Sequence, residues 1–146
     1  IRPVGYTHDV GVIRAIDNFV SVNSAVEIDL FGQVNADMRD GRQWSGTGGA
    51  VDMMRGAAMS RGGRSIVALK ATAGGGKRSR IVAALEKGTA ATALRTDIDY
   101  LVTEFGACRL RHLSTAARAA ALIEIAAPEF RDGLRDEWRT LMTRDQ

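Results

Sequence analysis

FVSVNSAVEIDL, residues 19–30, alternates between apolar and polar side chains. The side chains of a β-strand point to its two faces in turn, so this alternation indicates a strand with one buried face. We therefore predict a single strand across the segment, with its valine-rich side in the core. The buried side would present Val20, Val22, Val26, Ile28 and Leu30, and the other side would present Ser21, Asn23, Glu27 and Asp29.

Further strands and helices are predicted after this segment. Short β-prone runs bounded by glycine or charged turns occupy residues 65–69, 80–85 and 99–103. Helical spacing predicts helices over residues 50–60 and 114–126, and Pro128 suits the first position of a last helix. That helix would have one apolar stripe, formed by Phe130, Leu134, Trp138, Leu141 and Met142. Together these elements predict an α/β domain with a mixed sheet and helices packed on it.

The composition is typical of one globular domain over residues 1–146, with 45% hydrophobic and 25% charged residues. The sequence contains neither an apolar run long enough to cross a membrane nor a signal-peptide pattern. We therefore expect a soluble, cytoplasmic protein that does not act at a membrane. The chain opens on Ile1 without an initiator methionine, and we expect it to be the C-terminal half of a longer protein.

Charge and cysteine content narrow the expected partners. The 20 basic and 17 acidic residues leave a net charge of +3 that is spread along the chain. Aromatic residues make up only 5%, which disfavours a nucleic-acid partner. The modest positive charge suits a small anionic ligand better. The chain has one cysteine, Cys108, and its two histidines, His8 and His112, lie far apart, so we expect neither a disulfide nor a metal site.

The stretch GRQWSGTGGAVDMMRGA, residues 41–57, puts Gly46, Gly48 and Gly49 directly before the first predicted helix. The first turn of a helix leaves backbone N–H groups without partners, and glycine lets a ligand approach them. Such donors can stabilise a thioester or acyl oxygen as it becomes anionic. The alternative, which a bare glycine triplet favours, is a tight turn with close packing of strand and helix.

A second glycine-rich loop, ATAGGGKRS at residues 71–79, ends in basic residues. It does not match a nucleotide-binding P-loop, because Ala71 stands where that motif needs glycine and Arg78 where it needs serine or threonine. The Gly-x-Gly-x-x-Gly pattern of dinucleotide-binding domains is also absent between a strand and a helix. The loop is therefore either an exposed segment or one whose cations approach a phosphate.

Four blocks of the sequence stand in a fixed order and at fixed separations: RPVGYTHDVGVIRAIDNFVSVNSAVEIDLFGQVNAD, SGTGGAVDMMRGA, SIVALKATAGGGKRSRIV and RTDIDYLVTEFGACRLR. Together they resemble the C-terminal domain of the acetyl-CoA hydrolase and CoA-transferase family, which includes 4-hydroxybutyrate and acetate CoA-transferases. The continuation LSTAARAAALIEIAAPEFRDGL resembles the terminal helices of that family. The resemblance implies a CoA-transferase-like fold with a mixed, mostly parallel sheet and helices on its faces.

The resemblance also implies a ping-pong reaction between an acyl-CoA and a carboxylic acid. A glutamate of the enzyme attacks the thioester, forms an acyl anhydride, and then takes up CoA as a glutamyl thioester before passing it to the acceptor acid. In the family this glutamate lies in a His-Thr-Glu stretch before the block that matches RPV, and this chain contains no such stretch. The nucleophile would thus belong to a preceding N-terminal domain, in a homo-oligomer without a tightly bound cofactor.

Site residues follow from the same resemblance. Gly48 and Gly49 would be catalytic contacts, because their loop would supply backbone N–H to the thioester oxygen. The CoA and acyl pockets would be lined by Asn23, His8, Gly46, Asp97, Lys77, Ser79 and Arg80. Asn23 and Asp97 could instead cap neighbouring turns.

This chain departs from the family's usual RPVDYTNDP at Gly5, His8 and Val10. The asparagine that normally matches His8 faces the active site, so an imidazole there changes both hydrogen bonding and charge. These departures suggest a shifted acyl specificity or a weak enzyme.

Other reactive residues are interpreted as structural. Glu27 and Glu104 fall in matching blocks, but neither stands at the nucleophile position of the family. Cys108 and His112 have no third group to orient them, so we expect Cys108 to be a small packed residue.

Two classes of function remain. In the first, the chain is part of a CoA-transferase, or of an acyl-CoA hydrolase in which water reaches the same anhydride. In the second, it is a non-catalytic CoA-binding or assembly module. A glutamate-bearing domain encoded upstream would favour the first.

Overall fold

The computed structural model describes residues 1–143, in which short elements are joined by tight turns. The strands are β1 (Val20–Ser24), β2 (Glu27–Asp29), β3 (Val34–Asn35), β4 (Met38–Arg39), β5 (Arg42–Gln43), β6 (Arg64–Ala68), β7 (Thr72–Ala73), β8 (Arg78–Ser79), β9 (Ile81–Val82), β10 (Tyr100–Thr103) and β11 (Gly106–Arg109). The helices are α1 (Val4–Thr7), α2 (Val10–Arg14), α3 (Ala50–Met59), α4 (Thr115–Glu124) and α5 (Arg131–Thr143). The domain prediction over residues 1–146 includes residues 144–146, which lie outside the described part.

The main sheet has four strands in the order β1-β6-β10-β11. β6 lies parallel to both β1 and β10, while β11 is antiparallel to β10. The predicted α/β fold with a mixed, mostly parallel sheet and helices is therefore confirmed. A separate three-stranded sheet, in the order β3-β2-β9, and two hairpins complete the strand pairing of the described residues.

Helix α3 provides the crossover between the parallel strands β1 and β6. It contacts both strands, and its residues Met54 and Ala57 are buried. Gly56 lets α2 approach closely, since a Cβ at this position would lie 2.3 Å from Cγ2 of Ile13. A crossover helix runs back against the strands that it joins, so the N-terminus of α3 lies at their carboxyl ends. Ligands of open α/β sheets bind at this edge.

Residues 19–30 form two strands in different sheets, so the prediction of one continuous strand was wrong. The chain leaves the main sheet after Ser24, and the backbone N–H of Val26 then donates to Asn35 O at 2.9 Å. β2 pairs with β3 and, in parallel, with β9. The predicted run at residues 80–85 is a strand only at Ile81–Val82. Hydrophobic alternation does not specify which neighbour a strand pairs with.

The predicted buried face was also wrong for β1. Val20 and Val22 are 47% and 64% exposed, whereas Ser21 is only 5% exposed. In β2 the expected apolar side is buried at Ile28, but Asp29, which was predicted on the exposed side, is also fully buried. The prediction of one buried and one exposed face was therefore wrong for β2 as well. The face of β1 that carries Ser21 is the one covered within this structure, and β1 forms the edge of its sheet.

The predicted helices are confirmed with small shifts at their ends. Ser114 caps α4, because its Oγ accepts a hydrogen bond from Ala117 N at 3.2 Å. Pro128 opens a 3-10 turn, Pro128–Phe130, that leads directly into α5. Along α5 the stripe of Phe130, Leu134, Trp138 and Leu141 packs on the core. Met142, 38% exposed, does not belong to that packed stripe.

Helix lengths bear on membrane insertion. α5 has 13 residues, and within residues 1–143 every helix is too short or too polar to span a bilayer.

Candidate active site

Helix α3 begins directly after a pair of glycines. Gly48 adopts a left-handed conformation with φ +56°, and Gly49 caps the helix without any side-chain hydrogen bond. The first bond of the helix runs from Met53 N to Gly49 O. Within residues 1–143 the N–H groups of Ala50 and Val51 have no acceptor, as the first turn of a helix requires unless a side chain caps it. An anionic oxygen could be bound there.

His8 lies against this helix start. A Cβ built on Gly49 would fall 2.0 Å from Cδ2 and 2.1 Å from Nε2 of His8, so the imidazole occupies the space beside the Gly49 α-carbon. The ring is half-buried, and its Nδ1 lies 3.1 Å from Thr7 Oγ1. The glycine at position 49 is thus needed for the close approach of His8. The structure brings together these two residues that the sequence had singled out separately.

Asn23 lies near the carboxyl end of β1, at the sheet edge where α3 begins. Its side-chain amide donates to Ser21 Oγ at 2.7 Å, which fixes the orientation of the amide along the strand. Gly46 lies in the exposed loop that leads to α3, and no atom lies within 4 Å of a Cβ built on it. The topology therefore places Asn23, His8 and the glycine loop on one edge of the sheet.

Ser79 and Arg80 belong to a different part of the surface. They line a cavity of about 380 Å³, together with Glu27, Asn35 and Arg78. Ser79 Oγ bonds to Ile81 O at 2.6 Å, which tightens the turn into β9. Lys77 lies at the exposed tip of the same loop and is not among the residues that line the cavity.

Three acidic and three basic side chains line this cavity. Arg39 and Arg78 each lie 3.5 Å from a carboxylate oxygen of Asp40, and Glu27 Oε1 accepts a hydrogen bond from Asn35 Nδ2 at 2.9 Å. Because the acidic and basic side chains offset each other's charge, the cavity does not have the excess positive charge of a simple anion-binding site. Arg80 is half-buried there, on the same loop as Lys77.

Asp97 is buried, and both of its carboxylate oxygens are engaged. Oδ1 accepts from Arg55 Nε at 3.1 Å, and Oδ2 accepts from the backbone N–H of Leu94 at 3.0 Å. The hydrogen bond to Asp97 raises the pKa of Arg55. Asp97 therefore caps a turn, which is the alternative considered for it above. Through Arg55, the Asp97 side chain also ties this turn to α3.

Glu104 holds a backbone amide instead of a reacting group. Its Oε2 accepts from Ala71 N at 2.8 Å, and backbone hydrogen bonds from Ala71 and from Glu104 itself lower the pKa of the carboxyl. A carboxylate with a lowered pKa and fixed partners is stabilised in its charged form, which makes it a poorer nucleophile.

Cys108 and His112 are not arranged as a reactive pair. Burial raises the pKa of the Cys108 thiol to about 11, so the thiol stays protonated near neutral pH. His112 is exposed, in the turn that follows β11, with φ +66°. Within residues 1–143 no group of three or more His, Cys, Asp or Glu residues is placed to bind a metal ion.

The structure adds residues near these sites that sequence analysis missed. Trp44 is 72% exposed in the loop before α3, with the guanidinium of Arg39 lying 5.8 Å from the centre of its ring. Arg39 lies on a hairpin whose turn, Asp40-Gly41, is a typical two-residue hairpin sequence that would have predicted β4 and β5. Arg55, the partner of Asp97, lies inside the predicted helix, but helical spacing alone does not identify its partner.

The fold is an α/β domain in which a crossover helix begins at the carboxyl edge of parallel strands. Residues 1–138 match the family model described as the acetyl-CoA hydrolase/transferase C-terminal domain, and the chain belongs to that family.

Known proteins with similar sequences are CoA-transferases. The chain is 46% identical over 136 residues to the 4-hydroxybutyrate coenzyme A transferase of Clostridium kluyveri, covering 93% of this chain and 32% of that protein. It is 44% identical over 135 residues to the butyryl-CoA:acetate CoA-transferase of Anaerostipes caccae, covering 90% and 30%. The chain thus spans about a third of the length of the curated relatives that it matches.

A solved structure has the same fold. The crystal structure of RipA from Yersinia pestis superposes with a TM-score of 0.90 at 43% identity, covering 97% of this chain and 32% of that one.

Proposed function

We propose that this chain is the C-terminal part of an enzyme that moves CoA between an acyl-CoA thioester and a small carboxylic acid. The observation that carries the proposal is the set of unpartnered N–H groups where α3 begins, at the carboxyl edge of parallel strands. A thioester carbonyl under attack develops negative charge on its oxygen, and donors already in position stabilise that charge. Membership of the acetyl-CoA hydrolase/transferase family supports the same reaction.

In this proposal the thioester oxygen is bound by backbone N–H groups of the Gly48-Gly49 loop and of the first turn of α3, where Ala50 and Val51 have no acceptor. A glutamate from a preceding N-terminal domain attacks the carbonyl carbon, the C–S bond breaks and CoA leaves as thiolate, with an acyl anhydride on the enzyme. The CoA thiolate then attacks the glutamyl carbonyl and releases the first carboxylic acid. The acceptor carboxylate completes the exchange by the reverse steps. The reaction needs no tightly bound cofactor, since CoA enters and leaves as part of the substrates.

The other proposed contacts divide between two regions. His8, Asn23 and Gly46 lie at the edge where α3 begins and would contact the acyl group or the thioester. Lys77, Ser79 and Arg80 lie on the loop beside the cavity and would contact the polar parts of CoA. Asp97 would act indirectly, by holding α3 through Arg55. We further propose a cytoplasmic homo-oligomer.

A chimera tests the proposal. This chain replaces the matching third of the 4-hydroxybutyrate CoA-transferase described above, and CoA exchange is assayed between acetyl-CoA and a panel of acids. Gly48→Val should lower kcat about 100-fold or more, because a bulky side chain would stand beside the donors. A chimera that folds but transfers no CoA, or a Gly48→Val variant with unchanged kcat, contradicts the proposal.

Gly41→Val is the matched control. Gly41 and Gly48 have φ of +71° and +56°, and in both cases no atom lies within 4 Å of an added Cβ. The two substitutions therefore impose similar backbone strain, but Gly41 lies in a hairpin turn away from the helix start. We expect the control to retain kcat within about 2-fold.

The same assay distinguishes a transferase from a hydrolase. Release of acid from the acyl-CoA without any acceptor would identify the hydrolase variant of the reaction.

A further inference from the structure

The four-stranded sheet is covered on only one face within residues 1–143. Its registers align Val22 with Ile66, Ile66 with Tyr100, and Tyr100 with Arg109, so these side chains share a face. On the opposite face Ser65, Val67, Leu101 and Thr103 are buried beneath helices and loops. The first set is exposed or only half-buried, and its members lie outside the hydrophobic core. We call it the open face, formed by Val20, Val22, Ile66, Ala68, Tyr100, Val102 and Ala107.

The sequence of β6 is that of a strand buried on both sides. Residues 65–69 read SIVAL, so apolar side chains occur on both faces of this strand. Such continuous apolar runs are typical of parallel sheets, which are covered by helices on both faces. A strand with one solvated face would instead alternate apolar with polar residues. The open face thus lacks a covering layer.

Charge is confined to one end of the open face. Arg64 pairs with Val20 at the start of β6, and Arg109 pairs with Tyr100 at the start of β10, with its guanidinium 6.0 Å from the tyrosine ring centre. Both arginines are exposed, and both lie at the amino ends of the parallel strands. A covering element with acidic side chains at that end would complement them.

We infer that the open face docks helices from the part of the CoA-transferase that this chain does not contain. The inference rests on the proposed function for the existence of that part. The relatives are about three times as long as this chain, which leaves enough polypeptide to form a second helical layer. Helices are favoured over a second copy of the open face, because a parallel sheet is normally covered by helices on each side.

Thiol labelling of the full-length chimera tests this inference. In a Cys108→Ala background, Val22→Cys places one thiol on the open face, and Lys87→Cys places one on an exposed turn as the matched control. In the folded chimera the Val22→Cys thiol should react with a maleimide at least about 10-fold more slowly than the control. In urea the two rates should be equal.

Two results would overturn the inference. One is equal labelling of both thiols in the folded chimera. The other is protection that disappears when an oligomer is diluted to monomers, as followed by light scattering, since that would identify a second copy as the cover. Labelling requires no substrate, so a protected but inactive chimera counts against the proposed reaction and leaves the docking face supported.

Discussion

The imidazole of His8 occupies the space that a side chain at position 49 would need: a Cβ on Gly49 would lie 2.0 Å from His8 Cδ2. The helix start and the α1–α2 turn are therefore fitted to each other. Because the backbone of Gly49 itself has an ordinary φ of −92°, the demand for glycine comes from its neighbour.

Gly49→Ala should lower the free energy of unfolding by about 1 kcal/mol, because the His8 ring must move aside. In a His8→Ala background the same substitution should cost less, because only the preference for glycine over alanine at an N-cap remains. Urea denaturation of the four proteins of this double-mutant cycle measures the coupling.

Gly48→Ala is the matched control for that cycle. Its cost, about 1 kcal/mol, arises from the left-handed backbone at position 48 and should be the same with or without His8. An equal loss for Gly49→Ala in both backgrounds would contradict the role of the His8 ring.

Asp97→Ala should destabilise the chain more than Arg55→Ala. The first removes both the ion pair and the acceptor for Leu94 N, and should cost about 2 kcal/mol. The second removes only a pair whose arginine is 46% exposed, and should cost about 0.5 kcal/mol. Thermal or urea unfolding measures the free energy of unfolding of both variants. Equal losses for Asp97→Ala and Arg55→Ala would show that the turn does not depend on Asp97.

Arg118 of α4 holds three loops together from a buried position. Its guanidinium donates to Phe31 O at 2.9 Å, Arg95 O at 3.2 Å and Leu110 O at 3.5 Å, and burial lowers its pKa. Arg118→Met should cost about 3 kcal/mol, because it leaves the carbonyls of Phe31 and Arg95 without a donor. Leu110 O would keep its other donor, Leu113 N, at 3.3 Å.

The exposed Arg95 offers a matched control for that measurement. Arg95→Met should change the free energy of unfolding by less than about 0.5 kcal/mol. An equally small loss for Arg118→Met would contradict the role of its guanidinium in stabilising these loops.

Cys108 should alkylate slowly in the folded chain. Burial raises its pKa from 9.0 to about 11, which at pH 8 lowers the thiolate fraction about 100-fold. Iodoacetamide labelling of folded and urea-unfolded chain should show at least that ratio, and similar rates would contradict it. The same shift favours the protonated folded state, so the stability it contributes is lost as pH rises from 9 towards 11.

Local rules predicted the three longer helices α3, α4 and α5, but not the short helices α1 and α2. Ser114 and Pro128 mark where helices begin, since a hydroxyl cap and a proline each satisfy or remove an otherwise free N–H. The Asp40-Gly41 hairpin was equally predictable, because both residues adopt the positive φ that this dipeptide tolerates. The predictions from sequence did not include this hairpin.

Local sequence patterns did not predict which strands pair with each other. The alternation in residues 19–30 continues across the break after Ser24, although the two halves join different sheets. The exposure of Val22 likewise depends on which face of β1 is covered, and this is a tertiary property. The contact between His8 and Gly49 joins residues far apart in sequence, so only the fold reveals it.

The donors at the start of α3 belong to the main chain of a helix anchored in the interior by Met54 and Ala57, while Trp44 and Ser45 just before it face solvent. Substitutions in the side chains of this loop can therefore accumulate during evolution while the peptide groups keep their positions. In the proposed enzyme, such substitutions would change which acids are accepted and leave the groups that stabilise the thioester oxygen in place.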